Sequence, residues 1–238
     1  WDDVFPFAKD VVTFNGHKLA IPFQTDITFL AYNKLSVPDP PTTWDELAAL
    51  QAKYLFPAGN GMLSADAFLL QYLACGGTLV RDDGQPYLDS TIAAQVLAQY
   101  QKDMQSGVVS GKAREATTLE ECWLAYKQGD AQLVMVGSWL YQRDQVQMPN
   151  THYAAIPTAD GVPATVARSW SWAILTQDPA KQQMAANYIL AALQPEILSN
   201  WSNATRHLPL RYSALALTIK DQDYRAFLEQ ELQNAYPY

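Results

Sequence analysis

The sequence predicts an α/β fold with a largely parallel sheet, and three observations predict it. Short runs of β-branched and aromatic residues alternate with segments of helical apolar periodicity, the order that lays helices against the faces of a sheet. Residues 133–136, Leu-Val-Met-Val, are a continuous apolar run, as expected of a strand buried on both faces. The 238 residues, 49% hydrophobic and 17% charged, suffice to bury one large core or two smaller ones.

In chain order, residues 1–35 read as β structure. Strands at 11–14 and 19–23 are joined by Asn15-Gly16, a dipeptide that accepts positive φ at both central positions of a tight hairpin. Gln24-Thr25-Asp26 is a polar break before a strand at 28–33, and composition favours a solvated turn there over a site at a crossover. Pro38-Asp39-Pro40-Pro41 is a stiff connector, after which Thr43 and Glu46 form a capping box for a helix to about Tyr54. A second helix over 66–75 stops at Gly76-Gly77, which supply a left-handed cap. Asp82-Asp83-Gly84 reads as a turn, because the further ligands of a calcium loop are missing.

A long helix over 90–106 sets Ile92, Val96, Tyr100 and Met104 on one face, with Gly107 after its end. Thr118 and Glu121 cap the next, in which Leu119, Cys122, Trp123 and Tyr126 recur at helical spacing. The chain then leaves the helix at Gly129, runs the strand 133–136 and turns at Gly137 to present Trp139. A glycine permits a sharp turn at the carboxyl edge of a sheet, where open α/β sheets bind ligands. Trp139 either serves that edge or plugs the core.

Further strands are read at 153–157 and 169–175, and in the second Trp170 and Trp172 alternate with serines and so share a face. Asp178-Pro179 opens a helix to about Leu193, Pro195 begins another that holds Trp201, and 208–211 is extended. A last helix over 221–235 buries Tyr224, Phe227, Leu228 and Leu232.

Composition excludes some functions. Sixteen basic residues against 24 acidic ones give a net charge of −8 with no Lys/Arg cluster, so a phosphate backbone is repelled and nucleic acid is set aside as a partner. The apolar run at 68–70 is broken by Gln71, far short of the ~20 residues of a membrane span. Trp1-Asp2-Asp3 has neither the basic stretch nor the apolar region of a signal peptide. Cys75 and Cys122 fall on separate predicted helices at no metal-ligand spacing; a disulfide in an exported protein and two buried thiols both stay open. Seven Trp and 13 Tyr are an excess of large amphipathic rings, which fill cores or line binding sites.

Catalytic patterns do not appear. The sequence has no Gly-x-Ser-x-Gly, no helix with two His at i, i+4 and no Gly-rich phosphate loop, and His17, His152 and His207 sit in unrelated contexts. Glu120-Glu121 complements a helix N-terminus. The expectation is a protein that is not an enzyme and has no cofactor and no metal.

The order of segments carries a resemblance. The run Asn15 to Phe23, then Tyr32-Asn33-Lys34, then Pro41-Thr42-Thr43-Trp44-Asp45-Glu46-Leu47 resembles the extracellular solute-binding proteins of ABC importers, and most of all the sugar-binding group that includes the maltodextrin binders. Agreement continues through Gly76-Gly77, Gly129-Asp130-Ala131, Gly137-Ser138-Trp139, the Trp-bearing strand before Asp178-Pro179, and Leu208-Pro209-Leu210-Arg211. Family members begin with a further strand-helix-strand portion ahead of the position of Trp1 and continue beyond Tyr238, so the resemblance implies an internal segment with an incomplete N-terminal lobe.

The resemblance implies a periplasmic-binding-protein-like (type II) fold, two α/β lobes with a hinge. It places 1–26 and 151–200 in a partial N-terminal lobe, and 27–150 and 201–238 in the C-terminal lobe. Residue by residue, Thr25 and Asp26 fall at a cleft carboxylate ahead of the Tyr-Asn-Lys strand, and Trp139 at a stacking aromatic after the glycine turn. Ser64 and Asp66 match a cleft-facing segment, with Asp66 alternatively a plain helix cap. Trp170 matches the aromatic of the second crossing strand, with Trp170 and Trp172 alternatively in the core; Arg206 departs from the small residues common at its position. The implied ligand is a mono- or oligosaccharide held in an interlobe cleft, and the implied partners are the membrane subunits of an ABC permease. The protein would act as a monomer, periplasmic or extracellular, with a lipoprotein anchor as one form. A polyamine or other cationic solute is the alternative ligand, and an enzyme acting on carbohydrate the alternative class.

Overall fold

In the computed structural model, which describes residues 1–61, 65–81 and 83–237, the chain opens with a helix where the sequence suggests β structure. α1 spans Pro6–Val11, with the proline at its first turn, where a fixed φ suits a helix and no N–H is needed. β1 (Thr13–Phe14) and β2 (His17–Lys18) form the expected hairpin, and Asn15 and Gly16 take φ of 48° and 77°. β3 then runs unbroken from Ile21 to Asn33. The expected turn at Gln24-Thr25-Asp26 does not exist: these polar residues are buried mid-strand, where backbone pairing on the ladder overrides their turn preference.

α2 (Trp44–Ala49) carries the expected Thr43–Glu46 capping box but ends short of Tyr54, because Tyr54–Leu55 is β4 and pairs with Leu133 and Val134. α3 (Ala65–Ala74) ends at Gly76 with φ 84°, and α4 (Ser90–Ser106) runs from an Asp89 cap to a left-handed Gly107. α5 (Leu119–Lys127) has the second capping box, and it buries Leu119, Cys122, Trp123 and Tyr126. β5 (Leu133–Gly137) passes directly into α6 (Ser138–Asp144). β6 spans Thr151–Ala154 and β7 Val166–Trp172. α7 (Pro179–Ala192) starts at the Asp178 cap and α8 (Pro195–Thr205) follows. β8 (Leu208–Pro209), α9 (Tyr212–Thr218), α10 (Gln222–Gln233) and β9 (Tyr236–Pro237) complete the chain.

The chain divides into two compact units, Trp1–Ile27 with Ala167–Tyr238, and Thr28–Val166. The first crossing falls one residue after the expected one. The second falls at Val166 rather than Asn150, because β6 pairs with Leu30–Asn33 and stays with the middle segment. Residues 201–238 pack with the N-terminal segment, not with 27–150, because β8 pairs with Gln24 and Thr25 and Leu210 N–H donates to Phe23 O.

In the unit Thr28–Val166 the strand order is β4-β5-β3-β6, with β4/β5 parallel and the other pairs antiparallel. In the other unit the first half of β3 lies between β7 and β8, antiparallel to both. The largely parallel sheet expected from alternation is therefore corrected: strand order along the chain fixes the layers but not strand direction. Trp123 is fully buried, and its indole N–H donates to Asp144 at 2.7 Å. Arg143, then Lys127 and Trp123, hold the Asp144 carboxyl far below the usual carboxylate range. Phe23, Leu198, Leu193 and Ala214 form the core of the first unit, and Trp172 packs on it, stacked on Phe23 at 4.2 Å. Cys75 and Cys122 are free thiols. Among the described residues no helix is long and apolar enough to cross a membrane.

Candidate functional site

Asp26 lies on β3 opposite Arg168 of β7, one step from Thr25 opposite Ser169 and two from Gln24 opposite Trp170. The strand is anchored on both edges. Thr25 Oγ1 donates to Arg168 O at 2.7 Å, Ser169 Oγ donates to Thr25 Oγ1 at 3.3 Å, and Gln24 Nε2 donates to Ser202 and Thr205 hydroxyls of α8 at 3.0 Å each. Asp26 is only 7% exposed, so its carboxylate needs hydrogen-bond donors to offset lost hydration.

His207 lies within hydrogen-bond distance. Its Nδ1 lies 2.7 Å from Asp26 Oδ2, and its ring centroid lies 4.6 Å from that of Trp170, tilted by 45°. Trp170 is 42% exposed. The three side chains set an ionisable acceptor and an accessible indole side by side, held by a ring between them. Arg206, expected as a site side chain, has a backbone role: it ends α8 in the left-handed conformation, φ 67°, with its N–H on Ser202 O. That reversal swings the next residue, His207, toward β3.

The remaining expected residues lie in the other unit. Trp139 is half-buried at the second position of α6, directly after β5. Its ring covers the α-carbon of Gly137, so that a Cβ there would collide with three of its six-membered-ring carbons. Gly137 has φ −81° and ψ 145°, a conformation open to any residue. The expected reason for this glycine, a sharp turn, is therefore replaced by another: it makes room for the indole. Asp66 is the second residue of α3, buried and inside the first turn rather than capping it. Ser64 lies outside the described residues, as does Asp82 of the expected turn.

Cavities occur elsewhere. One of about 350 Å³ is bounded by Trp1, Asp3, Ile21, Leu190, Leu193 and Arg211, and one of about 230 Å³ by Leu55, Lys112, Glu115 and Cys122; none of the expected site residues borders either. Among the described residues no group of three or more His, Cys, Asp or Glu could hold a metal ion.

The profile of the bacterial extracellular solute-binding protein family matches residues 1–227. The chain belongs to that family. Over 52 residues, this solute-binding chain is 38% identical to the maltotriose-binding protein of Pyrococcus abyssi, a match that covers 22% of it and 12% of that protein. Its structure is similar to MalE3 of T. maritima with maltose bound (TM-score 0.78, 19% identity, 100% of this chain and 66% of that one). It is similar also to the cyclic α-maltosyl-1,6-maltose binding protein of Arthrobacter globiformis (0.80, 21%, 100% and 66%). A third is the sugar-binding protein MalE of Xanthomonas citri (0.81, 20%, 99% and 64%). At these identities the likeness is one of fold, the mixed α/β periplasmic-binding-protein-like fold expected from the sequence. The solute-binding chain spans 64–66% of the length of these structures.

Of the expected residues of this solute-binding chain, Thr25, Asp26 and Trp170 come together, and Arg206 contributes through its backbone. His207 was not expected at the site. The signal that points to it is its place between a helix end and Leu208-Pro209.

Proposed function

We propose that this chain is the solute-capturing part of an ABC importer and binds a mono- or oligosaccharide outside the cytoplasmic membrane, for delivery to permease subunits. The observation that carries this reading is the buried Asp26 carboxylate bonded to His207 beside the accessible face of Trp170. A pyranose presents axial C–H groups that pack on an aromatic face and hydroxyls that need acceptors, so an acceptor and an indole side by side suit it. The named proteins are a maltotriose-binding protein, MalE3 with maltose bound, a cyclic α-maltosyl-1,6-maltose binding protein and a sugar-binding protein, and the family membership of residues 1–227 supports an extracellular place for the protein. A cleft served by both lobes, as the resemblance implies, and a non-enzymatic role belong to the same proposal.

Isothermal titration of the natural full-length protein against a panel of mono-, di- and oligosaccharides tests it. Micromolar or tighter binding of at least one sugar is expected; no heat with any sugar or polyol removes the assignment. Bond cleavage of a bound sugar by the purified protein would revive the enzyme reading.

The net charge of −8 with a buried Asp26 favours a second ligand class, a polyamine or other cationic solute. The two separate by substitution. Asp26→Asn is expected to weaken a sugar about 10-fold, and Trp139→Ala to weaken it at least as much, one hydrogen bond and one aromatic contact respectively. A cation would instead be lost on Asp26→Asn and survive Trp139→Ala.

A further inference from the structure

His207 does more than hold Asp26. With Asp26 ionised, its carboxylate can only accept, and the 2.7 Å contact to Oδ2 then requires the proton on Nδ1 of His207. In the neutral imidazole that leaves Nε2 unprotonated, with an acceptor lone pair on the far side of the ring. The ring is partly exposed, 28% by side chain, and it packs at 4.6 Å on Trp170. An accessible indole and an imidazole with a nitrogen acceptor thus lie next to each other.

We propose that His207 is a ligand-contacting, specificity-determining residue, accepting a hydrogen bond from a ligand hydroxyl through Nε2, with its tautomer set by Asp26. This rests on the sugar-binding reading. It selects hydroxyl donors: an ether or deoxy position presented to Nε2 leaves a desolvated acceptor unpaired, which costs more than the bond itself contributes. The position of His207 follows from Arg206, whose left-handed backbone orients it, so the selecting group sits on a loop while the group that sets its tautomer sits on a strand.

The test uses the full-length protein labelled with ¹⁵N on histidine. Long-range ¹H–¹⁵N correlation at mildly alkaline pH, without sugar, is expected to show His207 protonated on Nδ1 and bare on Nε2; a proton on Nε2 overturns the proposal before any ligand is added. On saturation with a sugar that titration shows to bind, the Nε2 resonance is expected to move while Nδ1 stays protonated. His207→Phe, which keeps the ring contact with Trp170 and removes both nitrogens, is expected to weaken that sugar roughly 10- to 100-fold. Wild-type binding with an unmoved Nε2, or an unchanged Kd in His207→Phe, overturns the proposal and leaves the sugar reading standing. If the wild type binds no sugar, the sugar reading falls and the ligand contact falls with it, while the tautomer result still reports the Asp26–His207 bond. The wild-type spectrum decides even if the variant folds poorly.

Discussion

Gly137→Ala is expected to displace the indole of Trp139 and to lower stability by about 1–3 kcal/mol, the usual cost of forcing an extra carbon into a packed site. The backbone at residue 137 is ordinary, so the whole penalty comes from the collision between the new methyl and the ring. A double-mutant cycle isolates it. In a Trp139→Ala background the Gly137→Ala substitution should cost nearly nothing, and a coupling energy above about 1 kcal/mol is expected for the pair. Thermal unfolding of the four proteins measures this. Equal costs in both backgrounds would mean that the glycine is there for another reason. If Trp139 touches the ligand, the single variant should also lose affinity at least 10-fold, because the ring would stand in a different rotamer.

The second large effect concerns Glu231. This side chain on α10 is 2% exposed, its Oε2 has no hydrogen-bond partner among the described residues, and burial pushes its carboxyl up to about 7 from an ordinary value of 4.5. A raised carboxyl favours folding most while it is protonated in both states. That contribution is complete below about pH 4.5, declines as pH rises toward 7, and is gone above it. A span of this size corresponds to about 3 kcal/mol. Glu231→Gln is therefore expected to unfold at a higher temperature than the wild type near about pH 8, by roughly 2–3 kcal/mol of stability, with the gap closing below pH 4.5. Comparing the two proteins, rather than following one, cancels the opposing carboxyls such as Asp3, Asp89 and Glu121, whose values are lowered. A gap that does not change with pH would show that Glu231 is not the buried acid the fold implies.

The local signals in the sequence were read correctly because their physics is local. Thr43 with Glu46, Thr118 with Glu121, Asp178 before Pro179 and Asn15-Gly16 each satisfy orphan backbone groups or positive φ within four residues. What failed depended on partners distant in sequence. Gln24-Thr25-Asp26 has the composition of a turn and becomes mid-strand only because β7 and β8 pair with it from more than 140 residues away. Strand direction failed for the same reason. The family's motif order singles out Asp26 and Trp170, which the fold sets against the same His207 ring. It could not find His207, since a lone histidine after a left-handed arginine has no pattern of its own, and only the folded distance to Asp26 reveals it.

Gln24 and Thr25 are hydrogen-bonded to neighbouring strands on both sides, whereas Arg206 and His207 belong to a single connection between α8 and β8. A substitution at the strand positions unzips a ladder; a substitution in the connection does not. The tie of residue 207 to the sheet is its contact with Asp26, so replacing His207 leaves the ladder whole and moves the cost onto one buried carboxylate.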